Sequence, residues 1–239
     1  MSVQVAGFED VVTGRQNNLV VAIAKQVAKG PVCKRSNPFV IEGESGFGKT
    51  TILNAIARAV EAMKDGRNMI HSTCDRIFLD YLEALRRNKV DVFRTRYETV
   101  DVLLLDQFEA AKGAASFIEE LLHIFDSRMR MKKQTVVATA VRLEALQHKE
   151  CPAEFIGRLM SGVAVRLGRP DKRMRIAALR RELRESGENF PDAVSEVMAN
   201  ASKKNMGSLG GMLHRVMFAR EVMGKSALRQ KNLDEMLDK

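Results

Sequence analysis

Apolar positions along this chain change their spacing from segment to segment, and the changes lay out an alternation of helices and strands. Between Asn17 and Ala28 they recur at helical intervals, with Leu19, Ile23 and Val27 on one stripe, and Gly30-Pro31 ends the pattern. Pro38-Phe39-Val40-Ile41 is an apolar run of strand length, and Thr51 to Val60 returns to helical spacing. Asn68 to Ser72 reads as a second strand. Arg76 to Asn88 follows as an amphipathic helix with Phe78, Tyr81, Leu82 and Leu85 inward. Val100 to Asp106 is a largely apolar run closed by an acid, as expected of a central parallel strand covered on both faces. Phe117 to Phe125 is helical, and Gln134 to Thr139 is a fourth strand rich in β-branched residues.

Strands alternating with helices predict an α/β fold, a parallel sheet between two helical layers. Around Arg166-Leu167-Gly168-Arg169-Pro170 the pattern changes. From Lys172 onward only helical signals remain, over Arg175–Glu185, Pro191–Asn200 and Ser208–Met223. The expected organisation is a parallel αβα sandwich over residues 1–167, a small all-helical lid over 168–223, and a polar connecting helix or tail over 224–239.

Charge adds a partner to this picture. The 239 residues carry a formal net charge of +9, which favours an acidic partner, nucleic acid before a membrane surface; the plainer role of the same charge is solubility. Cys33, Cys74 and Cys151 are scattered, odd in number and without metal-ligand spacing, as free thiols are in a reducing cytosol. Met1 to Ala6 lacks the basic start and apolar core of a signal peptide, and no apolar run approaches the ~18–20 residues of a membrane span. A cytoplasmic protein is the expectation.

The chemistry is concentrated between the first strand and the helix after it. Gly43-Glu44-Ser45-Gly46-Phe47-Gly48-Lys49-Thr50 matches G-x-x-x-x-G-K-[ST] in full. At that spacing the glycines let the backbone turn tightly, so that N–H groups of the Gly43–Gly48 stretch, Ser45 and Phe47 included, point at a phosphate. Lys49 reaches the β/γ oxygens, and the Thr50 hydroxyl can hold Mg²⁺. Thr51 continues the helix, whose N-terminus adds its positive dipole end. ATP or ADP with Mg²⁺ is the expected cofactor. Asp106, at the end of the apolar strand, is the carboxylate that would orient the metal or its waters.

Five segments match a known family in order. They are Phe8 to Asn18, Gly46-Phe47-Gly48-Lys49-Thr50, the run from Phe93 to Asp106 (FRTRYETVDVLLLD), Glu119 to Phe125 (EELLHIF), and Leu209 to Val216. Together they resemble the AAA+ ATPase domain of the bacterial replication initiator family, DnaA. The resemblance implies a P-loop NTPase that self-assembles side by side on origin DNA. It also implies that each nucleotide is contacted by an arginine of the neighbouring subunit, a role that falls on Arg158 in Phe155-Ile156-Gly157-Arg158-Leu159. It further implies that Phe8 to Arg15 packs near the adenine.

Four departures from the family pattern bear on mechanism. The water-activating acid that usually follows the metal-site aspartate is here Gln107, which can orient water but cannot take its proton. Glu109, two residues on, is expected to point elsewhere if the segment is extended. The polar sensor at the end of the fourth strand falls on Ala140, with Thr139 adjacent, and the lid arginine falls on Gly207, where Ser208 reads as a helix cap. Lys203, Lys204 and Arg215 lie nearby. The basic residues for single-stranded DNA fall on Ala114 and Ser116, while the apolar position before them is kept as Leu82; Arg86, Arg87, Lys89 and Lys112 remain available to a phosphate backbone.

The expectation is therefore an ATP-binding module that self-assembles and engages DNA, with weak or absent hydrolysis. Two alternatives stay open: a regulator that pairs with a full-length initiator, like the short relative Hda, and a helicase-loader-like ATPase that meets the replicative helicase. The resemblance also implies a separate helix-turn-helix domain beyond the lid, for which the stretch after Lys225 is too short.

Overall fold

A computed structural model describes residues 7–111, 115–147, 151–188, 190–201, 206–224, 228 and 232–233. Lys112, Ala114, Lys203 and Lys204 lie outside the described residues, as do Met1–Ala6 and most of the tail.

By contacts the chain divides into two compact units. One comprises Met1–Val11, Asn17–Glu44 and Lys49–Leu167, the other Val12–Gln16, Ser45–Gly48 and Gly168–Lys239. The first is built on a parallel five-stranded sheet. In chain order it runs α1 (Asn18–Lys29), β1 (Phe39–Glu42), α2 (Lys49–Met63), β2 (Met69–Thr73), α3 (Cys74–Arg86), α4 (Val90–Thr99), β3 (Val102–Asp106), α5 (Ala115–Arg130), β4 (Gln134–Thr139), α6 (Leu143–Gln147), α7 (Ala153–Met160) and β5 (Val163–Arg166). The strand order is β2-β3-β4-β1-β5, all pairings parallel. Strand β4 thus lies between the strand that feeds the glycine-rich loop and the strand that ends in Asp106.

β1, β3 and β4 alternate their buried side chains between two helical layers. Val40, Leu103, Leu105 and Val137 join Ile77, Tyr81, Phe93, Phe117, Ile124 and Phe155 on the face carrying α3, α4, α5 and α7. Helix α2 packs on β3 and β4 and against α1, with Ile52, Leu53, Ile56 and Val60 fully buried. The inward stripe of α1 is Val20, Ala24 and Val27 with Val21 and Ala28, while Leu19 is exposed. Of the expected stripe, Val27 is buried, Ile23 half-buried and Leu19 exposed. Along α3 the buried residues are Cys74, Ile77, Tyr81 and Ala84, and Leu85 is exposed.

Four elements of this unit, α4, α6, α7 and β5, are not predicted by the apolar pattern. Helix α4 buries only Phe93 and Tyr97, one turn apart on an otherwise polar segment. Strand β5 is four residues long, lies at the sheet edge beside β1, and alternates half-buried with exposed positions.

The second unit contains helices α8 (Lys172–Glu185), α9 (Asp192–Ala201) and α10 (Met206–Met223). Asp171 caps α8 by accepting the Met174 N–H at 2.9 Å. Leu179, Leu183, Phe190, Val194, Met198, Leu209, Leu213 and Val216 form a core of their own, joined by Leu233. Gly207 and Ser208 lie within the first turn of α10, so Ser208 is not the residue that opens the helix.

Candidate nucleotide site

The site is built where β1, β3 and β4 end, the edge of an α/β sheet at which ligands bind. After β1 the backbone turns at Gly43, which is buried and donates its N–H to the Thr139 carbonyl at 3.1 Å. A Cβ there would approach that of Leu167 to 3.0 Å, which favours glycine. Gly46 and Gly48 adopt φ of 78° and 97°, a region L side chains rarely enter. Ser45 is exposed and Phe47 half-buried.

Lys49 opens α2 with its ammonium buried. It donates to the Gly43 carbonyl at 2.6 Å and the Glu44 carbonyl at 3.2 Å. Burial pushes its pKa down, and the negative charges of Glu109 and then Asp106 oppose that shift. Two carbonyl hydrogen bonds, with the Glu109 and Asp106 carboxylates acting at longer range, are weak compensation for a desolvated cation, so the geometry favours an anionic ligand at this point.

Thr50 donates its hydroxyl to Asp106 Oδ2 at 2.6 Å, joining the loop to the end of β3 across 56 residues. The second carboxylate oxygen of Asp106, itself 3% exposed, accepts the N–H of Gln107 at 2.8 Å. A hydroxyl and a carboxylate converging this closely fit Mg²⁺, which takes oxygen donors and is commonly held by one carboxylate together with substrate phosphates. No cluster of three or more His, Cys, Asp or Glu suited to a metal occurs among the described residues, so the fit depends on the phosphates to complete it.

The segment after Asp106 is not extended. Gln107 has φ 56° and is exposed, and Phe108–Ala111 winds into a 3-10 turn. Phe108 anchors that turn by burying its ring edge-on against Phe155, centroids 5.4 Å apart. The turn carries Glu109 toward the end of β4, where its Oε2 accepts the Ala140 N–H at 2.8 Å. The expectation that Glu109 points elsewhere is therefore corrected. Thr139 contributes no side chain here, because its buried hydroxyl is engaged with the backbone of Val141.

The remaining expected residues lie as follows. Arg158, on α7, is paired within its own chain: Nε is 2.7 Å from Asp126 Oδ1 on α5, and the side chain is 42% exposed. No sequence signal ties these two residues, 32 positions apart. Thr51 is half-buried in the first turn of α2, and Phe8 lies under Lys25, whose ammonium is 5.8 Å from the ring centroid. Ser116 is exposed at the start of α5, Leu82 is half-buried, and Arg87 pairs with Glu83 at 2.7 Å. Arg86, Lys89 and Arg215 are exposed. No helix among the described residues is long and apolar enough to cross a membrane.

A family profile described as the bacterial DnaA ATPase domain matches residues 4–166. The chromosomal replication initiator protein DnaA of Bordetella avium is 30% identical over 221 residues, covering 92% of this chain and 45% of that protein. The chain spans about half the length of the curated relatives it matches. Domain III of DnaA from Thermotoga maritima superposes with a TM-score of 0.90 at 27% identity, over 97% of this chain and 95% of that one. AMPPCP-bound DnaA from Aquifex aeolicus gives 0.81 at 25% identity, over 96% and 69% of the two chains. The parallel sheet, its loop after β1 and the match over most of the first unit lead to one conclusion: this chain belongs to the bacterial DnaA ATPase-domain family.

Proposed function

We propose that the chain is an ATP-binding module of initiator type that self-assembles when ATP is bound, engages DNA, and hydrolyses ATP slowly. The observation that carries this reading is the arrangement of Lys49, Thr50 and Asp106. It joins a buried ammonium, hydrogen-bonded to two loop carbonyls, to a hydroxyl–carboxylate pair 2.6 Å apart. Lys49 is the group proposed to neutralise phosphate oxygens, and the positive φ of Gly46 and Gly48 suits a loop whose N–H groups would donate to them. Mg²⁺, when bound, supplies a further positive charge beside the transferring phosphoryl group, with Thr50 and Asp106 as its protein ligands. That DnaA from Aquifex aeolicus is known in an AMPPCP-bound structure supports ATP as the nucleotide.

Slow hydrolysis follows from what surrounds this arrangement. Gln107 cannot accept a proton, Ala140 offers no polar side chain, and Gly207 stands where the resemblance places an arginine. A nucleotide that is bound firmly and consumed slowly suits a switch better than a motor. Arg158 is the group proposed to read the neighbour's nucleotide, since a guanidinium stays charged and its side chain is part exposed. Engaging a neighbour would require it to leave Asp126.

The test is a titration with a fluorescent ATP analogue, followed by sedimentation with ATP and with ADP. Wild type should bind both nucleotides and sediment as larger species with ATP only. A chain that binds neither, or assembles equally with both, would overturn the reading. A second reading, a regulator that binds no DNA, is favoured by two observations. Ser116 is uncharged, and Arg87 is already paired with Glu83. DNA titration at two salt concentrations separates them, because a phosphate-backbone contact weakens steeply as salt rises.

A further inference from the structure

Glu109 is the one acid of the candidate site that the family pattern does not account for. Three features fix it there. The left-handed turn at Gln107 redirects the chain, the buried Phe108 ring anchors the following 3-10 turn, and the Ala140 N–H holds Oε2 at 2.8 Å. The contact continues to the phosphate loop through backbone alone. Ala140 follows Thr139, whose carbonyl accepts the Gly43 N–H at 3.1 Å, and the Gly43 carbonyl accepts the Lys49 ammonium at 2.6 Å. The carboxylate therefore sits two bonded strands away from the loop, beside the end of β3 that carries Asp106. Its charge is also the leading electrostatic support for the Lys49 ammonium, ahead of Asp106.

We propose that Glu109 stands in for the missing groups and carries the slow turnover of the reading above: it supplies a carboxylate in place of the acid absent at Gln107 and occupies the polar position absent at Ala140. In the step it serves, a water oxygen forms a bond to the γ-phosphorus as the bond from that phosphorus to the β,γ-bridging oxygen breaks. The bridging oxygen keeps the electron pair and leaves on ADP. The proton released by the water passes to Glu109 Oε1, which has no hydrogen bond among the described residues, while Oε2 stays held by Ala140. Gln107, exposed and turned outward, takes no part. The inference rests on the ATP-binding reading above and adds the residue through which that ATP is turned over.

The plainer role for Glu109 is to cap the end of β4. Glu109→Gln separates the two, because the amide oxygen can still accept the Ala140 N–H but the side chain can no longer take a proton. The experiment is single-turnover release of labelled phosphate from γ-labelled ATP, with nucleotide affinity measured in parallel. Glu109→Gln should lower the rate by about 100-fold or more, as expected for loss of a general base, and leave ATP affinity equal or tighter. A Glu109→Gln chain that binds ATP and turns it over like wild type would overturn the inference, as would a wild type that binds ATP without measurable turnover. A wild type that binds no ATP would remove the underlying reading itself, which the affinity measurement identifies separately.

Discussion

Two cations are buried at opposite ends of the same sheet, and their surroundings could hardly differ more. At the N-terminal ends of β3 and β4, Arg128 is fully buried, and its guanidinium donates to the carbonyls of Tyr97 (2.6 Å), Val100 (2.8 Å) and Gln134 (2.6 Å) and to Thr135 Oγ1 (3.0 Å). Burial pushes its pKa down to about 9, which leaves it charged at neutral pH. At the other end Lys49 is also buried, but among the described residues it hydrogen-bonds to just two carbonyls of its own loop. The first cation is saturated and knits together the end of α4, the start of β3 and the start of β4. The second is undersupplied. A buried charge that is fully hydrogen-bonded serves structure, and one left short of partners marks where a ligand of opposite charge is wanted.

The contrast can be broken by experiment. Arg128→Met should cost the most stability, about 3–5 kcal/mol in denaturant unfolding, because several buried carbonyls lose their donor at once. The comparison fails if this variant is as stable as wild type. Lys49→Ala should do the opposite. It should lower ATP affinity by about 100-fold while leaving stability within about 1 kcal/mol, since its removal relieves a desolvated charge. Equal losses of stability at both sites would erase the distinction. Arg158→Ala should abolish ATP-dependent sedimentation with a stability change below about 1 kcal/mol, its ion pair with Asp126 being part exposed.

The smallest effect concerns Asp101, which accepts from Lys133 at 2.6 Å and from the Asn68 N–H at 2.8 Å. The Lys133 hydrogen bond is the main cause that holds its carboxyl below the usual range. A lowered carboxylate pKa stabilises the fold above the ordinary carboxylate range, and that contribution is lost as the pH falls through it. Asp101→Asn should therefore cost about 0.5–1 kcal/mol at pH 7, and the two proteins should converge in acid.

Much of this was legible in the sequence, and the exceptions share a cause. Strands β1, β3 and β4 announce themselves because they are buried on both faces and carry apolar or β-branched runs. Strand β5 is a short edge strand with one face half open, so its four residues carry little signal. Helix α4 hides because Phe93 and Tyr97 alone anchor it. The loop, Lys49, Thr50 and Asp106 were legible because phosphate geometry dictates residue type at fixed spacing. Glu109 and the Arg158–Asp126 pair were not. The first depends on a left-handed turn at a non-glycine residue, and the second joins two helices whose facing positions no local pattern encodes.

The insertion of β4 between β1 and β3 bears on how the chain acquires its ligand. Neither the loop after β1 nor Asp106 after β3 is next to the other in the sheet until the later strand has taken its place between them. A partly folded chain missing that strand would hold both motifs and bind little. Nucleotide would then stabilise only the completed sheet, by an amount that grows with the logarithm of its concentration. In this arrangement ligand affinity becomes a report on folding: saturating ATP should slow exchange of the β4 amides with solvent more than those of the peripheral helices.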